Sequence, residues 1–81
     1  MGPQKALYRV SDGWIFNAPC EETTVTSHEK DLIEIYGLWD WFEIPEGMTI
    51  TELKRHKVVA SQLELLPEEQ WPDYCPPEED R

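Results

Sequence analysis

Residues 32 to 45 constrain this chain more than any other stretch. Tyr36, Trp39, Trp41 and Phe42 fall within seven positions there, the densest apolar surface in the sequence. A chain of 81 residues builds a single core, and this stretch is its best anchor. Carboxylates at Glu34, Asp40 and Glu43 interrupt the run, so one side of it is expected to face water. Residues 39–44 alternate, with Trp39, Trp41 and Glu43 on one face and Asp40, Phe42 and Ile44 on the other, which reads as a strand. One helix through 28–43 would instead spread its apolar positions around the cylinder, and Gly37 in its middle would cost ~1 kcal/mol.

The flanking segments supply the rest of a small α+β domain. Residues 6–17 read as a hairpin: Ala6 to Val10 alternates, Ser11-Asp12-Gly13 turns, and Trp14-Ile15-Phe16 returns. Asn17 to Glu22 is expected to be a loop, because Pro19 has no amide proton for a ladder, and Thr23–Thr26 a short strand. Thr26 with Glu29 has the spacing of a capping box and opens a helix over 28–36. Gly37 then takes the left-handed position at the helix end, with Leu38 closing onto Ile33. After the turn at Pro45-Glu46-Gly47, Thr49 with Glu52 opens a second helix over 50–57. Its last turn would hold Lys54, Arg55, His56 and Lys57 against the negative end of the dipole. Val58–Leu66 reads as a last strand. The expected core is Leu7, Tyr8, Val10, Trp14, Phe16, Leu32, Ile33, Tyr36, Leu38, Trp39, Phe42, Ile44, Ile50, Leu53, Val59, Leu63 and Leu65.

From Pro67 onward prolines are too frequent for regular helix or central strand. The chain therefore divides into a compact α+β domain, 1–66, and an extended acidic tail, 67–81, tacked down by Trp71 or Tyr74. The run Leu65-Leu66-Pro67-Glu68-Glu69 resembles a short motif of phage uracil-DNA glycosylase inhibitors. The likeness covers five residues, the flanking sequence departs from it, and it implies no role here.

Charge is the most informative bulk property. Seventeen acids against seven bases leave a formal net charge of -10. Residues 21–47 hold eight of those acids against Lys30, and residues 64–81 hold seven against Arg81. Such a surface repels nucleic acid and anionic membranes and attracts basic protein surfaces. The longest apolar run is too short to span a bilayer, and Met1 to Lys5 lacks an apolar leader, so the expectation is a cytoplasmic protein. In that compartment Cys20 and Cys75 are expected to be free thiols.

Signatures of catalysis are absent: no glycine-rich phosphate loop, nucleophile elbow, H-E-x-x-H or C-x-x-C occurs. Cys20, His28, His56 and Cys75 form a zinc-type set in number but in no compact spacing, and no calcium loop is present. Neither metal nor cofactor is expected. The residues singled out for partner binding are Trp39, Asp40, Trp41, Glu43 and Glu46 around the aromatic stretch, and Glu68, Glu69, Trp71, Asp73 and Tyr74 in the tail. Aromatics supply desolvated anchors and acids supply complementarity to a basic partner. Carboxylates two apart on one strand face lie ~6.6–7 Å apart, a spacing comparable to successive DNA phosphates.

These features give the expectation of a small, non-catalytic, acidic protein-binding module. The sharper form is a DNA-mimic inhibitor, of the kind phages or mobile elements encode, docking on the basic surface of a nucleic-acid-handling protein. The alternative is an adaptor or assembly subunit that uses its tryptophan-rich face or its tail as an apolar plug. Direct nucleic-acid or membrane binding is not expected, and the oligomeric state is left open.

Overall fold

Both helices begin where the two threonine–glutamate pairs stand. In the computed structural model, which describes residues 4–75, the Thr26 hydroxyl accepts from the Glu29 N–H at 3.1 Å. The Glu29 carboxylate accepts from the Thr26 N–H at 2.9 Å. Thr49 and Glu52 repeat the arrangement at 3.0 and 2.9 Å. Each box satisfies two otherwise orphaned amide protons, so α1 (Ser27–Glu34) and α2 (Ile50–Leu53) start as their local sequence dictates. At the far end of α1, Gly37 takes φ +65° and the Leu38 N–H returns to the Leu32 carbonyl at 2.9 Å.

The domain is α+β, with antiparallel sheets of three strands and two. Strands β1 (Lys5–Arg9), β2 (Ile15–Cys20) and β3 (Trp39–Glu43) form the first sheet in the order β2-β1-β3. β1 pairs β3 in unbroken register, Lys5 with Glu43 through Arg9 with Trp39. β2 is less regular. Leu7 pairs with Asn17 and Tyr8 with Ile15, which leaves Phe16 as an extra residue, and the register shifts again toward Cys20. β4 (His56–Val59) and β5 (Gln62–Leu65) form the second sheet.

Alternation along β1 assigns the two faces of the first sheet. Ala6, Tyr8, Phe42 and Ile15 share one face, which packs with Ile44, Ile50, Leu53, Val58 and Leu63 from α2 and the β4–β5 hairpin. Leu7 and Trp41 share the other, beneath α1. Leu7 and Leu53 are fully buried, one on each side of β1.

Several expectations are corrected here. Thr23–Thr26 forms no strand; Glu22–Thr24 is a turn of 3-10 helix leading into the Thr26 cap. The expected loop over Asn17 to Glu22 is mostly strand, because β2 is an edge, where a proline costs no ladder bond. α2 stops at Leu53 instead of 57, so the basic cluster divides: Lys54 caps the helix end, while His56 and Lys57 belong to β4, where they pair with Leu65 and Glu64. Val58–Leu66 is not one strand. Ala60 and Ser61, at φ +52° and +66°, make the two-residue turn of a second hairpin. The tail opens with a 3-10 turn, Glu68–Gln70.

The core also shifts by one residue in two places. Ile15 is buried while Trp14 and Phe16 are exposed, and Val58 is buried while Val59 is exposed. A one-residue change of register moves every side chain to the opposite face. Ala6, Cys20 and Leu66 are buried without having been expected to be, whereas Val10, Tyr36, Leu38 and Leu65 are exposed.

Candidate functional site

β3 is an edge of the main sheet, and its backbone decides what it can offer. The Val10 N–H donates to Leu38 O at 2.9 Å, and the Ile44 N–H to Gln4 O at 2.8 Å. In an antiparallel pair the bonded positions alternate, so residues 38, 40, 42 and 44 bond to β1 and residues 39, 41 and 43 point their N–H and C=O groups outward. Among the described residues only one outward group has a partner: the Trp41 N–H donates to Asp40 Oδ1 at 2.7 Å.

The aromatic side chains of β3 are held from beneath and from one side. Trp39 meets Phe16 of β2 with ring centroids 4.6 Å apart and planes 57° apart. Since β1 lies between those strands, the rings touch above it. Trp41 is half-buried, lining a hollow of about 210 Å³ with Val25, Lys30 and Ile33. Asp40 and Glu43 are exposed on opposite faces of the strand. The carboxylate row at two-residue spacing, which phosphate mimicry on this strand would need, is therefore not formed by β3. Asp40 faces Tyr8, whose phenol pKa is raised by burial first and then by that carboxylate.

Near the Trp39 end of β3 several apolar side chains are exposed, all of them but Ile35 expected in the core. Ile35, Tyr36 and Leu38 are 70%, 65% and 56% exposed, and Val10 and Phe16 join them. The Val10–Leu38 bond continues the β1–β3 register, so by alternation Val10 and Leu38 lie on the Tyr8 side of the sheet end, whereas Phe16 and Trp39 meet on the Leu7 side. Their apolarity was legible, but the sequence did not show that no described element covers them. Of the nearby charges, Arg9 is spent on Asp12, with its Nη2 2.6 Å from Oδ2. Asp31, Glu34 and Asp40 form no ion pair among the described residues.

The tail residues form a separate group. The Trp71 indole N–H donates to Leu66 O at 2.9 Å, and the Arg55 guanidinium sits 4.5 Å from the centre of its ring. Arg55 also pairs with Asp73 at 2.5 Å, which lowers the Asp73 pKa, chiefly through that hydrogen bond. Asp73 is thus engaged inside the molecule. Glu68 and Glu69 are exposed on the 3-10 turn, and the half-buried Tyr74 donates its N–H to Trp71 O at 3.1 Å. Glu46 lies apart from Asp40 and Glu43, in a groove of about 460 Å³ shared with Met48, Arg55, His56, Leu65 and Trp71.

Cys20 is buried at the end of β2 and Cys75 is exposed in the tail; neither forms a disulfide. Burial, the leading cause, raises the Cys20 pKa, which disfavours its thiolate. No group of three or more His, Cys, Asp and Glu among the described residues is arranged to hold a metal ion. No helix among them is long and apolar enough to cross a membrane. Comparison with protein-family models, with curated proteins and with solved structures found no match.

Proposed function

We propose that this chain is a non-catalytic protein-binding module that docks the exposed apolar residues at the Trp39 end of β3, together with the acids of the same stretch, onto a partner with a basic rim. The observation that carries this reading is the exposure of Ile35, Tyr36 and Leu38, which lead along the chain into Trp39 and its contact with Phe16. Fully burying one apolar side chain of this size contributes ~1.5–3 kcal/mol, whereas an exposed ion pair gives ~0–1 kcal/mol. The exposed apolar residues therefore supply affinity, and the acids of the same stretch, Asp31, Glu34 and Asp40, supply partner choice and encounter rate. The net charge of -10 adds long-range attraction to a basic surface.

The sharper reading is inhibition of a nucleic-acid-handling protein, and the adaptor reading differs from it in salt dependence. The test is capture from lysate on immobilised wild-type protein and on Leu38→Asp and Glu34→Lys variants, eluted with a salt gradient and then with duplex DNA. A protein retained by wild type and lost by Leu38→Asp supports docking through the exposed apolar residues. Release by DNA at moderate salt identifies a nucleic-acid-binding partner, and retention through high salt identifies an assembly partner. A partner held equally by all three proteins would overturn the proposal.

A further inference from the structure

Resting on that reading, we infer that the partner contributes an extended segment which adds to the outer edge of β3 as a fourth strand of the main sheet. Strand addition needs a regular edge with free backbone groups, and the described edges differ in this respect. β2 is bulged twice and carries Pro19. β5 has only four residues, and β4 is engaged through Val58 and Lys57 by the β1–β2 turn. β3 runs five residues in unbroken register, holds no proline, and turns both backbone groups of residues 39, 41 and 43 outward.

Natural edges are protected against unwanted pairing, and here the protection is one side chain. Asp40 Oδ1 accepts the Trp41 N–H at 2.7 Å, in the place an incoming carbonyl would take. This guard is removable, because an exposed carboxylate that leaves an amide can turn to a cation or to water. A basic residue on the arriving strand would both draw Asp40 aside and pair with it.

The side chains of β3 set the chemistry of the occupant. Asp40 and Glu43 stand three residues apart on opposite faces, with Trp41 and Phe42 between them. An antiparallel segment that matches both carries Lys or Arg at positions three apart, with apolar residues between. The edge begins at Trp39, so the added strand continues directly from the exposed apolar surface. A second copy of this chain fits poorly, since its own edge repeats the same carboxylates and its net charge is -10.

The test uses the full chain and a blocked peptide, Thr-Lys-Val-Val-Lys-Val-Thr, followed by amide hydrogen exchange and a binding titration. Bound peptide is expected to slow exchange of the Trp39 and Glu43 amides at least tenfold. N-methylation of the peptide residue opposite Trp41 is expected to abolish binding. Glu43→Pro removes an outward N–H but no bond to β1, and should weaken binding at least tenfold beyond Glu43→Gln, which removes only the charge. Absence of binding, binding indifferent to N-methylation, or protection confined to other amides would each overturn strand addition. If capture of the lysate partner is lost with Leu38→Asp but unaffected by Glu43→Pro, the apolar docking surface stands and strand addition falls. If neither variant affects capture, both fall.

Discussion

Gly13 lies so close to Val58 that a Cβ at position 13 would sit 2.1 Å from the Val58 carbonyl oxygen. The Val58 N–H in turn donates to Gly13 O at 2.9 Å, and Trp14 pairs with Lys57 beside it. The turn that reverses β1 into β2 is thus also the joint between the two sheets. Asp12 braces that turn: its carboxylate accepts from the Trp14 N–H at 3.0 Å and from Arg9 Nε at 3.1 Å.

Gly13→Ala should therefore be among the most damaging small substitutions in the chain. The methyl group meets backbone, which cannot yield as a flexible side chain would, and φ +76° is left-handed. The expected loss exceeds about 2 kcal/mol, from left-handed strain plus the strained or broken bond to Val58. Gly37→Ala, also left-handed but with nothing within 4 Å, should cost only ~1–2 kcal/mol. Urea denaturation of the two variants checks the order.

The β4–β5 turn offers the opposite opportunity. Ala60 and Ser61 both hold positive φ, which side-chain-bearing residues other than Asn and Asp rarely adopt. Replacing the pair with Asn-Gly, the sequence preferred in such turns, should stabilise the protein by ~1 kcal/mol. The melting temperature would then rise by about 4–8 °C, as expected for a domain of this size.

Trp71 holds residues 66–75 against the domain. Trp71→Phe keeps a ring under Arg55 but leaves Leu66 O without its donor, at an expected cost of ~1 kcal/mol. Trp71→Ala removes the ring as well and should speed cleavage by a glutamate-specific protease at Glu68 and Glu69 several-fold. Limited proteolysis of the three proteins, read by mass, tests this.

Acid should destabilise the fold through three carboxylates. Asp12 is held below its ordinary pKa chiefly by its hydrogen bond from Arg9, Asp73 by its bond from Arg55, and Glu52 by the Thr49 N–H. A lowered folded-state pKa means that the stabilisation is complete above the unfolded value, near ~4. It is lost as pH falls through the folded values. All three groups are exposed, so each effect is small and screened by salt. Urea midpoints should stay flat above about pH 5 and decline below about pH 4. Asp73→Asn should reduce that decline.

The two thiols should react at different rates. Cys75 is exposed, whereas Cys20 is buried with a raised pKa. A maleimide reagent is expected to label one thiol quickly and the second only as the protein unfolds. Equal rates in native buffer would contradict the burial of Cys20.

The sequence by itself determined what depends on neighbours within a few residues. Both capping boxes, the left-handed Gly37, the turn at Asp12-Gly13 and the strand character of Trp39 to Glu43 were legible, because the groups that make those bonds stand close in the chain. The Ala60-Ser61 turn was not, since its residues lack the usual turn signature and only strand pairing holds them at positive φ. Tertiary structure alone decided the faces of β2 and β4. Whether Ile15 or Phe16 points inward depends on a bulge set by pairing with β1, and whether Val58 or Val59 does depends on the hairpin register. The candidate site divides in the same way. Its aromatic and acidic residues could be read from the sequence. The opposite faces of Asp40 and Glu43 were legible too, from strand alternation, but only the order β2-β1-β3 made β3 an edge and left Tyr36 and Leu38 uncovered in the stretch leading to Trp39.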